Sequence, residues 1–492
     1  MTDNHYDPGL HLFVDDAEVQ DHPGFTRQVQ QPARVQLEPV VRTDRPWEGH
    51  AVALWGSVLY DTEENLFKMW YYTFGSTESG DAVHFMCYAT STDGLLWDKP
   101  DLGIVAWQGS TANNIVYPPQ GTSDFGMDPW GIVKDMSDPN PAKRYKMGGY
   151  QQRPSDVPKT DNTNTPEERQ AYMRSISDRH GMYSAYSPDG LNWTMNDPLL
   201  IPRGGDAGAL TYDYAKKRFL AITRRYNCVD DHFVLLWKKY RRVIAISTSD
   251  DFETWSPLET VLKPDDYDAD RDQMYDMVPF AYGNQYLGFV WMFLTDQDQG
   301  ITELTTAREL DCWKRVGRRE SFLPVGTPGS WDDGWATCAA NGPILKDDKL
   351  YIYYRGTSRR HAKLQREFDP RIAADQDEGM AIGLATLRLD GFASINASFE
   401  GGRLTTRPFV LEGEQLWVNA KADYGKLAVE LLDEENKALP GYAAADCIDV
   451  SEDGVALSVR WRDKSGIGAL GGRPVGIRFI LHNARLYSYW FK

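Results

Sequence analysis

The sequence predicts an all-β chain, a five-bladed β-propeller followed by a C-terminal β-sandwich, on three observations. A strand, a tight turn and a Trp recur as STDGLLW (91–97), SPDGLNW (187–193), TSDDFETW (248–255) and ARELDCW (307–313), with a looser echo ATLRLDGF at 385–392. Short aromatic and β-branched runs broken by Gly, Asp, Asn and Pro fill the chain to about residue 390, and helical periodicity is nearly absent. Beyond about residue 400 the runs alternate apolar and polar, and the turn signature stops.

The repeat divides into five units, each opening on a Gly- or Pro-marked loop that carries a carboxylate. Unit one runs from RPWEGHAVALWGSVLYD through FKMWYYTF to MCYATSTDGLLW. Unit two runs from FGMDPWGIVKD through RYKMGGYQ to MYSAYSPDGLNW, and unit three from PRGGDAGALTYD through RFLAITRRY to VIAISTSDDFETW. Unit four runs from DQMYDMVPFAYG through YLGFVWMF to ELTTARELDCW. Unit five runs from SWDDGWATCAANGPILKDD through LYIYYRG to IGLATLRLDGF. A four-stranded unit of this size cannot bury both faces alone, and radial packing of five such blades solves that. The Asp-Gly turn is then the outer hairpin and the Trp a wedge between blades, both structural.

The expected division is a propeller over 1–395 and a sandwich over 396–492. A polar insertion at about 151–180 falls in blade two, with an amphipathic helix candidate at 165–176. The stretch 231–242 reads as either a strand or a short helix. The terminal LYSYWFK reads as a paired strand.

Composition excludes several classes. A formal net charge of −18 disfavours nucleic acid, which requires a basic surface. No apolar run approaches the length of a membrane span. The five cysteines are scattered without CxxC spacing, so neither a zinc site nor a disulfide framework is expected. The N-terminal MTDNHYDPGLHLFVDD has no basic or apolar leader pattern, and a cytoplasmic location is the expectation. No Gly-rich phosphate loop, HExxH or nucleophile elbow occurs, so no cofactor and no metal are expected. The Asp-rich stretch 263–276 has oxygen ligands for calcium but lacks the EF-hand pattern, and reads better as a solvated loop.

The candidate chemistry follows from the repeat. First strands of propeller blades line a central channel, so residues at equivalent entry positions converge on one mouth. Each unit offers an acid there: Glu48, Asp128, Asp206, Asp276, and Asp332 with Asp333. Carboxylates gathered in a poorly solvated funnel have their pKa values pushed apart, which supplies one protonated acid and one ionised partner. Those two states are what glycosidic cleavage needs. Trp47, Trp130 and Trp335 flank the same positions as possible sugar platforms. His50, Arg224, Arg225 and Arg355 are further candidates to hold substrate or a carboxylate. The partner expected is therefore a carbohydrate substrate.

A five-bladed propeller followed by a β-sandwich resembles glycoside hydrolase family 32, the β-fructosidases, and the propeller alone resembles families 43, 68 and 130. The family 32 and 68 pattern places an aspartate nucleophile in blade one, a stabilising aspartate in Arg-Asp-Pro of blade two and a glutamate acid in blade three. Met127-Asp128-Pro129 keeps the Asp-Pro, while blade one carries Glu48 in RPWEGH and blade three Asp206 in RGGDAG. The resemblance implies a family 32-like glycoside hydrolase acting on a furanoside or short oligosaccharide. Glu48 would be nucleophile or base, Asp128 the stabiliser, and Asp206 or Asp276 the acid. The alternatives are a glycoside phosphorylase of the family 130 type, which needs one acid and a cationic phosphate site, and a non-catalytic carbohydrate-binding propeller.

Overall fold

The computed structural model describes residues 7–76, 82–117, 128–152, 165, 167–168, 171, 175, 179–226, 241–361 and 379–492. Nearly all regular structure among them is β-strand, with three single 3-10 turns. Among the described residues no helix is long and apolar enough to cross a membrane. The stretch 231–240 and most of the insertion lie outside them. Where the insertion is described, Thr165 and Glu168 bond reciprocally: Glu168 N–H donates to Thr165 Oγ1 at 3.2 Å and Thr165 N–H to Glu168 Oε2 at 2.7 Å. That is the capping box expected of a helix start.

Five antiparallel sheets follow one another along the chain. The first pairs Val52–Ala53 and Val58–Asp61 with Leu66–Thr73, then Met86–Ser91 and Ile115–Tyr117. The second is Asp128–Lys134, Tyr145–Gln152, His180–Ser187 and Thr194–Pro202. The third is Gly208–Asp213, Arg218–Tyr226, Arg242–Ser249 and Glu259–Leu262. The fourth begins Gln273–Tyr282, Gln285–Leu294, Gln299–Ala307. The fifth holds Trp335–Cys338, Lys349–Thr357 and Ala381–Arg388, with Ala33–Arg34 from the N-terminal region as its outer strand. A parallel bridge between Gly300 and Trp335 joins the fourth and fifth.

The recurrent turn is structural, for a reason visible three times over. Ser91 Oγ accepts from Gly94 N–H and Asp93 Oδ1 from Leu95 and Leu96 N–H. Ser187 with Asp189, and Ser249 with Asp251, repeat the pattern. The turn position has φ +79° at Gly94 and +78° at Gly190 but is occupied by Phe252 at +66° in the third copy, a strained choice for a side chain. Phe252 compensates by burying its ring against Tyr186 and Phe219. Aromatics of one sheet seat the turn of the next. Trp70 Nε1 donates to Gly190 O at 2.6 Å, and Tyr353 OH, from the fifth sheet, donates to Gly94 O of the first at 2.8 Å. Contacts thus run from the fifth sheet back to the first. The wedge between sheets comes from a middle strand (Trp70, Tyr353), while Trp97 and Trp255 instead donate to their own turn carbonyls.

Two further sheets close over one apolar cluster that includes Leu404, Val418, Val429, Phe479 and Leu486. One carries Ala393–Ala397, Leu416–Lys421, Asp453–Ser458 and Ala484–Phe491; the other Gly402–Thr406, Lys426–Leu432 and Pro474–His482. Residues 484–491, expected to be a paired strand, bond strands on both sides. The expected domain division needs one correction. Leu10–Leu12, Val19–Asp21 and Phe25–Val29 pair with these C-terminal strands and not with the first five sheets. Residues 10–29 thus belong with the C-terminal sheets, which cover their edges, and not with the first five.

Candidate functional site

The entry-position carboxylates divide into two sets. Glu48 is fully buried, and both its oxygens are taken. Oε1 accepts from Tyr71 OH at 2.6 Å and Lys99 Nζ at 2.7 Å, and Oε2 from the Asp44 and Arg45 backbone N–H groups. These bonds fasten the loop that enters the first sheet, so the geometry gives Glu48 a structural place and not the nucleophile position expected for it. Asp332 is likewise enclosed, held by Arg34 at 2.8 Å, Tyr354 OH and Ser330 Oγ. Asp333 accepts from Gly329 N–H within its own loop.

Asp206 and Asp276 share Arg224 instead, and Asp128 is linked to them through Tyr72, Trp55 and Arg355. Backbone irregularities set two of these three. The strand Asp128–Lys134 shifts register between Pro129 and Gly131, and Gln273–Tyr282 shifts between Met274 and Asp276. Bulges re-aim side chains and recur beside active sites. The strand after Asp206 lies between these two. Gly131 makes the close approach possible, since a Cβ there would stand 2.7 Å from the Leu210 carbonyl oxygen.

Asp128 is part-exposed and accepts from Tyr72 OH, which also meets His84 Nδ1. Burial, then the charge of Asp128, pushes the Tyr72 hydroxyl well above its usual pKa and keeps it a neutral donor. Asp206 is exposed and ion-paired with Arg224. Burial of its carboxyl raises the pKa, but the charge and hydrogen bond of Arg224 outweigh it, and Asp206 stays ionised. Asp276 differs from both. It is 0% exposed, Oδ1 accepts from Met277 N–H at 2.8 Å, and Oδ2 has no partner among the described residues. Burial pushes its pKa up to about 8, only partly opposed by Arg224 and Arg355. Asp276 therefore holds a proton at neutral pH beside an ionised Asp206.

Aromatic rings wall this group. The Arg224 guanidinium carbon lies 4.2 Å from the Tyr275 ring centre and that of Arg242 5.0 Å. Arg355 lies against Trp55, Trp291 and Trp335. Trp55 meets Tyr72 edge-on, which links the Asp128 side to the Asp276 side. His50, exposed, stands at the rim against Phe74.

Two of the expected sugar platforms are elsewhere. Trp130 is fully buried between the second and third sheets, with Gly204 and Gly208 against its ring. Trp47 donates to Asn114 Oδ1 and packs edge-on with Trp107. Trp335 is at the site but fixed, stacked on Phe293 and lying flat over Gly300. Arg225, next to Arg224, points away and donates to Leu258 O. In the Asp-rich loop, Asp265 and Asp268 are taken by Arg319 and Arg315.

The residues the sequence did not single out, Tyr72 and Trp291, share one position with Arg224 and Arg355. Each lies near the end of the second strand of its unit: YYTF, VWMF, TRRY and YYRG. The register confirms two of them, pairing Asp276 with Trp291 and Thr337 with Arg355. Aligning the second strands would have found them. Two cavities, of about 220 and 270 Å³, lie apart from the carboxylates, among Tyr60, Lys134 and Tyr212. Lys134 and Lys68 there are bound to Asp61.

No family model and no curated protein matches this chain. Solved structures do. One described as a glycoside hydrolase aligns with a TM-score of 0.47 at 13% identity, over 73% of this chain and 92% of its own. A glycosyl hydrolase from Bacteroides ovatus aligns at 0.42 and 14%, over 73% and 94%. A β-1,2-mannobiose phosphorylase from Listeria innocua aligns at 0.42 and 11%, over 78% and 96%.

Proposed function

We propose that the five sheets are blades of a β-propeller, that the two C-terminal sheets form a β-sandwich, and that the protein cleaves glycosidic bonds in the funnel between the blades. The observation that carries the reading is the pairing of a protonated carboxyl, Asp276, with an ionised one, Asp206, around Arg224, while Asp128 is held by Tyr72. Asp276 donates its proton to the leaving oxygen. Asp206, ionised by Arg224, serves as base or nucleophile, and Asp128, braced by Tyr72, orients substrate hydroxyls. The family 32-like furanoside specificity belongs to this proposal and is one arm of its test.

A phosphorylase is the second reading, favoured by Arg224 and Arg242 on the Tyr275 ring beside a single buried acid. The deciding experiment is turnover of nitrophenyl furanosides and pyranosides, sucrose, inulin and levan, with and without phosphate. Hydrolysis without phosphate, lost at least a hundredfold in Asp276→Asn and Asp206→Asn, supports the first reading. Turnover only with phosphate supports the second. Sugar binding that survives both substitutions, with no turnover, would leave a carbohydrate-binding propeller.

A further inference from the structure

Arg355 is 4% exposed and makes no hydrogen bond or ion pair with any described residue. Its guanidinium carbon is 4.4 Å from the Trp55 ring centre, 5.2 Å from Trp291 and 5.6 Å from Trp335. Indole faces stabilise the cation but give it no hydrogen-bond acceptor. The polar atoms around it share that lack. Arg355 Nε, Trp55 Nε1, Trp291 Nε1 and Thr337 Oγ1 are all buried without partners among the described residues, and Thr337 stands directly opposite Arg355 in the sheet. Asp276 Oδ2, also without a partner, adds another donor while it keeps its proton.

Arg355 Nε, Trp55 Nε1 and Trp291 Nε1 can only donate, and Thr337 Oγ1 can donate or accept. A single water or sugar hydroxyl oxygen accepts at most two such bonds and carries no charge to set against the guanidinium. A carboxylate brings only acceptor sites, about four, in a plane that fits the guanidinium edge left open between indole faces. Charge agrees. Arg224 is ion-paired with Asp206, and Arg355, 4% exposed, has no ion-pair partner among the described residues. A buried charge without a counter-charge is costly, and a ligand of one negative charge removes that cost.

We propose that the sugar bound here is an acidic one, and that Arg355 holds its carboxylate at the floor of the site, among Trp55, Trp291 and Thr337. This rests on the reading of the funnel as a glycoside site and narrows its substrate class to uronic-acid glycosides. Inorganic phosphate is the other source of an oxyanion.

The test is calorimetric titration of the full chain with glucuronate and galacturonate, with glucose and galactose as uncharged controls and inorganic phosphate as a separate arm. Uronates are expected to bind at least tenfold more tightly than the neutral sugars. Arg355→Met should abolish that preference and Arg355→Lys retain part of it. Arg355→Met should also melt no lower than wild type, because an apolar side chain of similar size relieves an unpaired buried charge. Equal binding of charged and neutral sugars, or a uronate preference that survives Arg355→Met, would overturn the proposal. So would phosphate binding without uronate binding. Turnover of neutral glycosides without uronate binding would overturn the carboxylate and leave the glycosidase reading standing. Uronate binding lost in Arg355→Met, with no glycoside turned over, would do the reverse.

Discussion

Replacing Asp276 with Asn tests the central feature of the site, because it removes the titration and keeps the shape. Below pH 3.8 the carboxyl is protonated in both folded and unfolded chains, and it does not set them apart. As pH rises above 3.8 the unfolded chain ionises while the folded one, with its pKa near 8, keeps its proton. Stability from this group is therefore whole below 3.8 and is lost as pH rises toward 8. At about 1.36 kcal/mol per pKa unit, the roughly three units between 3.8 and neutrality withhold about 4 kcal/mol at pH 7. Asn has no such titration and keeps an oxygen for Met277 N–H. The variant should match wild type in stability near pH 4 and exceed it increasingly up to pH 8. Thermal melts and denaturant midpoints across pH 4–9 measure the difference. Turnover should fall by about 10²–10⁴, the usual worth of a general acid, and the alkaline limb near pH 8 should vanish from its remaining kcat/KM profile. A stability difference that stays constant with pH would refute the elevated pKa. Unchanged turnover would refute the assignment of the acid.

Other consequences can be checked alongside. Glu48→Gln should lower stability by about 3 kcal/mol, since it strips a buried Lys99 of its enclosed partner, yet leave kcat of the folded protein near wild type. A hundredfold fall in kcat without loss of stability would return Glu48 to the site. Burial raises the pKa of Glu18, but the His11 hydrogen bond, the charges of His11 and Arg308 and the Asn284 bond hold it down at about 2. Its stabilisation is present above 4.5 and lost as pH falls toward 2, about 2–3 kcal/mol. Glu18→Gln should therefore flatten the acid limb of a melting-temperature profile. Gly131→Ala would press a Cβ on the Leu210 carbonyl and force apart the strands that carry Asp128 and follow Asp206. A loss of about 1–3 kcal/mol is expected, together with lower kcat/KM measured on the folded fraction.

The sequence by itself determined what repeats locally. The Ser-x-Asp-Gly turns, the aromatic second strands and the alternating C-terminal strands are set by neighbours a few residues apart, and they stand where the pattern put them. The same pattern marked an acid at each unit's entry, and two of those acids, Asp206 and Asp276, stand around one arginine, Arg224. Tertiary structure alone decided which. Glu48 and Asp128 occupy equivalent places in the chain, but Tyr71 and Lys99 come from other segments to join the Asp44 and Arg45 amides of its own loop in consuming Glu48, whereas among the described residues Tyr72 and His84 are what reach Asp128. The state of Asp276 is equally non-local, because desolvation is the sum of everything packed around a group. The N-terminal strands are the plainest case. Nothing within residues 10–29 names a partner, since an edge strand pairs with whatever edge the fold leaves open, and that edge lies more than 360 residues further along the chain.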